Sequence, residues 1–431
     1  MRTRPGLAWT AGISAAALAL TACGDNGNGG NGGADGEEEV TLTFTWWGGD
    51  VRHQYTQEII ELFEAEYPHI TVEPQYGEWD GYWDQLATQT AAQDTPDIIQ
   101  KDLVYLAEYI QNGILLELDT DIIDTSEFPD ELIDTGVYED ALYAMPVGST
   151  VLAYGTNPAL LEEAGVEVPD DESWTWDDLL QISAEVSENT DAYGLGGTFP
   201  STEFEIWLRQ NAGVDIVTED GELPWSPEDA ADYFDHLGEF RDAGAYPSAA
   251  EISEERGIAR EQTLLATGGA AMLPSWDTML VALSSNDGVD LEPLMPPSNT
   301  GNAEDAELFY KASMFYSVYA GTEHPEEAQL FVDFLVNDPE AGELQQIERG
   351  IPGNESFREA IRDDLDEVET RILDYSERVE EFVGDAPPLQ PEGFGAVQDI
   401  VIRYEDEFFH GNMDAEEAAE GMHREIEEAI G

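Results

Sequence analysis

Val40, Leu42 and Phe44 alternate with Thr41, Thr43 and Thr45, which predicts a first strand running into Trp46-Trp47-Gly48-Gly49. The period then changes. Between residues 54 and 67, Ile59, Leu62, Phe63 and Glu66 recur at helical spacing, and Pro68 ends the run. Residues 70–76 read as a second strand, 82–93 as a second helix and 97–100 as a short third strand. Strands alternating with helices build a parallel sheet covered on both faces. Ligands of such sheets sit outside the carboxyl ends of the strands. The pattern therefore gathers residues 46–52, 76–83 and 100–102 on one edge.

Further along, residues 141–157 are apolar and strand-like, punctuated by Gly and Pro, and a helix at 158–164 is stopped by Gly165. Another helix follows Ser173, read as its cap. Residues 263–280 predict helix, strand and a loop bearing Trp276; residues 306–321 predict a strand region. The segment 324–346 predicts a helix with Phe331, Phe334 and Leu335 on one face, and the rest is helical and acidic. No repeat of solenoid length is present.

The N-terminus adds an address. Arg2 and Arg4 precede an apolar stretch at 7–20 and the sequence Leu-Thr-Ala-Cys at 20–23, the order of a secretory signal over residues 1–22. Cys23 is the single cysteine, so no internal disulfide is possible, and its place after a small-residue cleavage point matches a lipobox whose thiol is acylated. Residues 23–39 are Gly, Asn and acid, a flexible tether. The expectation is an extracellular protein anchored to the membrane by lipid alone, since no later segment is apolar enough to span.

Charge narrows the partners. With 94 acidic against 16 basic residues the net charge is −78, and Lys101 and Lys311 are the only lysines. Nucleic acid and anionic membranes are polyanions and are excluded as partners. Near-absence of lysine in so acidic a chain points to a halophilic source, where the Debye length falls to roughly 3 Å at 1 M salt.

Seven stretches occur in order: TFTWWGG, LFEAEYPHITVEPQYGEWDGYWDQLATQTAAQDTPDII, GILLELD, AMPVGSTVLAYGTNPALLEEAG, TWDDLL, ATGGAAMLPSW and HPEEAQLFVDFLVNDPE. Together, over essentially the whole mature chain, they resemble the family 1 extracellular solute-binding proteins of ABC importers, the carbohydrate group that includes maltose-binding protein. The resemblance implies a monomeric α/β protein of two discontinuous lobes with ligand in the interlobe cleft. It implies lobe 1 at 40–148 and 295–322, lobe 2 at 149–294 and 323–431, and a membrane permease that recognises the ligand-closed form.

Sugar chemistry selects the residues. A pyranose offers an apolar face to an aromatic ring and a rim of hydroxyls to Asp, Glu, Asn or Arg. On the first loop Trp47, Asp50 and Arg52 supply that mixture, Gly48 allows close backbone approach, and Trp46, on the strand's buried parity, packs. Asp80 and Tyr82 follow the second strand, with Tyr82 equally suited to anchoring the next helix. Asp102 follows the third strand, as a ligand contact or a solvated charge. The resemblance adds Trp276 as a stacking ring, Glu203 and Trp207 as an acid and an aromatic, and Tyr154 and Asn157 in the first crossing. Lys311 pairs a buried acid or meets ligand, Phe394 is a late aromatic contact, and Trp174 and Trp176 are core. No metal ligands, cofactor fingerprint or catalytic signature stands out: there is no HExxH, no GxxxxGK and no cysteine nucleophile. A secreted glycoside hydrolase and a polysaccharide adhesin are the competing readings.

Overall fold

The computed structural model describes residues 39–430 except 78, 219, 287 and 392, and leaves out the side chains of 79 and 80. The signal segment, Cys23, the tether and the Asp80 side chain lie outside the described residues.

The alternation of apolar and threonine positions makes the strand Val40–Trp47, whose Leu42, Phe44 and Trp46 are fully buried. It pairs in parallel with Ile70–Gly77, from Val40 opposite Ile70 to Trp47 opposite Gly77, and on its other side with Ile98–Lys101. Three long-range strands complete the sheet, each antiparallel to the strand it joins. Lys311–Val318 joins Ile98–Lys101, Met145–Thr150 joins Lys311–Val318, and Ile351–Pro352 closes the edge. The sheet is therefore mixed, with its parallel half at the N-terminal strands.

The second sheet has the order Glu292–Leu294, Leu152–Thr156, Ala270–Trp276, Tyr193–Leu195. Between Met145–Thr150 in one sheet and Leu152–Thr156 in the other stands the buried Val151, where the chain passes between lobes. Asp277 straps that crossing: its carboxylate accepts from the Thr150 hydroxyl at 2.6 Å and the Val151 amide at 3.2 Å.

Two boundaries differ from the expectation. Residues 295–306 stay with the second sheet, because the Trp174 indole donates to the Met295 carbonyl at 3.0 Å and the Gln210 side chain donates to the Pro297 and Ala306 carbonyls at 3.0 Å each. The chain returns to the first sheet only at Lys311. The helix Pro325–Asn337, expected in the second lobe, packs on the first: Phe331 lies 5.4 Å from Phe44 and 4.8 Å from Phe63 between ring centres. Its apolar face was visible in the sequence, but a face does not name its partner. The third crossing comes before Glu367–Val379, where the Tyr375 hydroxyl donates to the Leu152 carbonyl at 2.7 Å. A local correction concerns the helix Trp176–Asn189, which is capped by Thr175, not Ser173, in a reciprocal pair with Asp178. Among the described residues no helix is long and apolar enough to cross a membrane.

Candidate ligand-binding site

A cavity of about 200 Å³ opens between the two sheets' lobes. The first lobe contributes Leu103 and Val104, which start the helix Leu103–Gln111, together with Thr135. The returning chain contributes Phe309, Tyr310 and Lys311; the second lobe contributes Phe199, Trp276 and Phe394 among others. The lobes touch at its rim, where a Cβ placed on Gly395 would stand 3.6 Å from Val104.

Trp276 ends the strand Ala270–Trp276, its backbone paired with Leu152 beside the first crossing. The ring is half-buried and held edge-on by Phe199 at 5.5 Å and by Phe309 at 6.4 Å. These two T-shaped contacts fix the plane of the ring at the cavity wall. Thus Trp276, Lys311 and Phe394, distant in sequence, line one cavity.

The polar side was not anticipated. Helix Pro200–Ala212 carries Glu205 and Arg209 four residues apart on one face, and Asp215 follows its end. Glu205 and Asp215 both line the cavity. Arg209 reaches Asp215 at 2.6 Å, stands 3.6 Å from Glu205, and lies 4.8 Å above the Phe309 ring. The Ile216 amide donates to both Glu205 oxygens at 3.2 Å. Burial pushes the Glu205 carboxyl up, and its hydrogen bond with Asp215 pushes it further, against the pull of Arg209. The i, i+4 spacing of Glu205 and Arg209 was the available signal; the part played by Asp215 depends on how the chain turns after the helix.

None of the first-loop candidates lines the cavity. Trp47 is 8% exposed and packs against Tyr82 at 5.3 Å and Trp83 at 5.4 Å. Tyr82 is buried, and its hydroxyl donates to the Gln100 carbonyl, so it anchors its helix. Arg52 is buried in an ion pair: Nε donates to Glu348 at 2.8 Å, and Nη1 to the Trp47 carbonyl at 3.2 Å. Gly48, at φ +150°, makes room for that arginine and not for a ligand, since a Cβ there would lie 2.4 Å from Arg52 Cδ. Asp50 is exposed in the first turn of Asp50–Glu66. Asp102 caps Leu103–Gln111 by accepting from the Val104 amide, one turn from the cavity wall.

Tyr154, Glu203 and Trp207 do come together, but inside the second lobe. The Tyr154 hydroxyl donates to Glu203 at 2.7 Å, and Trp207 stacks on His236 at 4.4 Å. With Trp176 and Tyr233 they surround a void of only about 10 Å³, too small for a sugar ring. Burial pushes the Glu203 carboxyl up to about 7. Asn157 caps Pro158–Ala164 through the Ala159 amide. The resemblance implies ligand roles for these residues, but their side-chain chemistry suits sugar and core alike; the helix Pro200–Ala212 turns Glu203 into the lobe and Glu205, equally buried, to the cavity.

A family model described as bacterial extracellular solute-binding protein matches residues 58–368. Among solved structures, a family 1 extracellular solute-binding protein from Alicyclobacillus acidocaldarius is 24% identical, with a TM-score of 0.79, over 92% of this chain and 100% of that one. A periplasmic oligogalacturonide binding protein from Yersinia enterocolitica is 22% identical, with a TM-score of 0.79, over 91% of this chain and 99% of that one. At these identities the likeness is one of fold. A curated Streptomyces antibioticus protein, named an uncharacterized lipoprotein, is 24% identical over 303 residues, 65% of this chain and 63% of that one. The match to curated Brucella abortus relatives spans 41% of their length. The two sheets, the crossings and the cleft between them agree with these matches, and the chain belongs to the bacterial extracellular solute-binding protein family.

Proposed function

We propose that this protein captures a sugar or oligosaccharide in the cavity between its lobes and delivers it to the permease of an ABC importer, anchored outside the cell through Cys23. The observation that carries the reading is Trp276, a half-buried ring beside Phe199, Phe309 and Phe394 in a largely apolar cavity that also presents a few polar side chains. Covering about 80 Å² on the ring and as much on a sugar face is worth ~4 kcal/mol before ordering costs. The Thr202, Gln390 and Gln398 side chains are on hand for hydroxyls.

One feature weighs against catalysis: Glu205 and Asp215 both hold Arg209, at 3.6 and 2.6 Å, on one side of the cavity, whereas glycosidases place their two carboxyls on either side of the scissile bond. The permease would favour the closed state, and ligand shifts the population only as far as it prefers that state.

The test is a thermal-shift and calorimetric screen of mono- and oligosaccharides in molar NaCl, followed by scattering on the best ligand. Binding with compaction and no turnover supports the importer role; product formation would favour a hydrolase, and binding without compaction an adhesin. The halophilic setting is part of the same proposal and rests on the charge of −78. A melting temperature that fails to rise between dilute buffer and molar salt would remove it.

A further inference from the structure

Three charged residues line the cavity: Glu205, Asp215 and Lys311. Two of them are already engaged. Asp215 is bound by Arg209 at 2.6 Å, and Glu205 receives the Ile216 amide while sharing a hydrogen bond with Asp215. That carboxyl pair and its arginine form a self-contained unit beside the cavity.

Lys311 has no such partner. Among the described residues its ammonium makes no hydrogen bond and meets no carboxylate within 4.0 Å. Lys101, Arg260, Arg349 and Arg424 likewise meet no carboxylate within 4.0 Å among the described residues, but most arginines do. Arg52, Arg209, Arg256, Arg358, Arg362 and Arg378 all reach a carboxylate at 2.9 Å or less. Acidic residues outnumber basic ones by 94 to 16, so carboxylates are abundant around most cations. Lys311 is instead fixed at the start of Lys311–Val318, its backbone paired with Thr150 at the crossing between lobes. From there it lines the cavity together with the rings of Phe199, Trp276, Phe309 and Phe394. A partly desolvated cation in an apolar wall is stabilised when an anion arrives, and the charge-assisted hydrogen bond is stronger there than in water.

Resting on the carbohydrate reading above, we propose that the natural ligand is an acidic saccharide, whose ring stacks on Trp276 and whose carboxylate is received by Lys311. The overall negative field does not forbid this. In molar salt, charges beyond roughly 3 Å are screened, so the groups lining the cavity decide and the distant acids do not. Neutral sugars would enter the same cavity but leave Lys311 without its anion.

The test compares acids with their own neutral esters. Trigalacturonate, a cello-configured triglucuronate and trimannuronate are each titrated beside their methyl esters, with maltotriose as a neutral control, against wild type, Lys311→Met and Lys311→Arg. The expected result is that at least one acid binds ten-fold or more tightly than its ester. Lys311→Met should abolish that preference, lowering acid affinity ten-fold or more beyond any change in ester affinity, and Lys311→Arg should keep it. A melting curve in the same buffer confirms that each variant is folded. Equal affinity of acid and ester in every pair, or a preference that survives Lys311→Met, overturns the inference while leaving the carbohydrate reading intact. If no acid, ester or neutral sugar binds, the carbohydrate reading falls, and this inference with it.

Discussion

Trp47 and Trp276 each end a sheet strand, one in each lobe, and each was expected to face a sugar. Only Trp276 does. Trp47 is enclosed by Tyr82 and Trp83 and buries its ring in the first lobe. Trp276 meets Phe199 and Phe309 in T-shaped contacts and lines the cavity. The strand end places a ring at the cleft level of the sheet; the neighbouring helix decides whether that ring is covered. In the first lobe, the helix carrying Tyr82 and Trp83 covers it. In the second, the chain turns away after Trp276 and leaves it open.

The same division separates Glu203, enclosed in the second lobe, from Glu205, two residues on and at the cavity. One lesson holds in both lobes: polar and aromatic groups suited to sugar are also the groups that staple a core, and only their surroundings distinguish the uses.

The largest effect expected from breaking this contrast is on stability. Trp47→Ala should cost about 3–5 kcal/mol in denaturant unfolding, as for other large-to-small core changes, while the folded fraction binds ligand normally. A stability loss under 1 kcal/mol would show that the ring is not core.

Next comes the enclosed acid. Burial raises Glu203 from 4.5 to about 7, so between those values the folded chain holds a proton that the unfolded chain has lost. Stability from this group is therefore full below about pH 4.5 and is lost as pH rises through about 7, by on the order of 3 kcal/mol. Glu203→Gln should flatten the melting-temperature profile over that window relative to wild type. Identical slopes would mean that Glu203 does not hold the proton.

Trp276→Ala acts on the other side of the contrast, lowering saccharide affinity about 100-fold, or ~2.7 kcal/mol, with a melting temperature close to that of wild type. Calorimetry gives both numbers, and affinity unchanged by the substitution would take Trp276 out of the site. The smallest effect belongs to Asp50→Asn. As an exposed first-turn residue outside the cavity, it should change stability by less than about 0.5 kcal/mol and leave affinity alone. A clear loss of binding would return the first loop to the cleft.

Arg52 shows why the first loop misled. Its spacing from Trp47 and Gly48 suggested a binding loop, yet its partner Glu348 lies 296 residues away. Nothing local marks such a pairing. Lys311 shows the reverse: its scarcity alone drew attention to it in the sequence, and the fold places it in the cavity.

The sequence by itself determined the strands and helices of the N-terminal half, the family, the buried parity of Trp46 and the charge that narrows the partners. Those properties are periodic or compositional, so they are set by residues close along the chain or by the sum of all of them. Only the tertiary structure decided that Pro325–Asn337 packs on the first sheet, that Trp47, Arg52 and Glu203 are enclosed, and that Glu205, Asp215, Trp276 and Lys311 share one cavity. Each of those outcomes depends on which apolar face meets which across two hundred or more residues, or on which way a side chain points once its helix is seated. Burial is a property of the neighbours, and the neighbours are known only once the chain has folded.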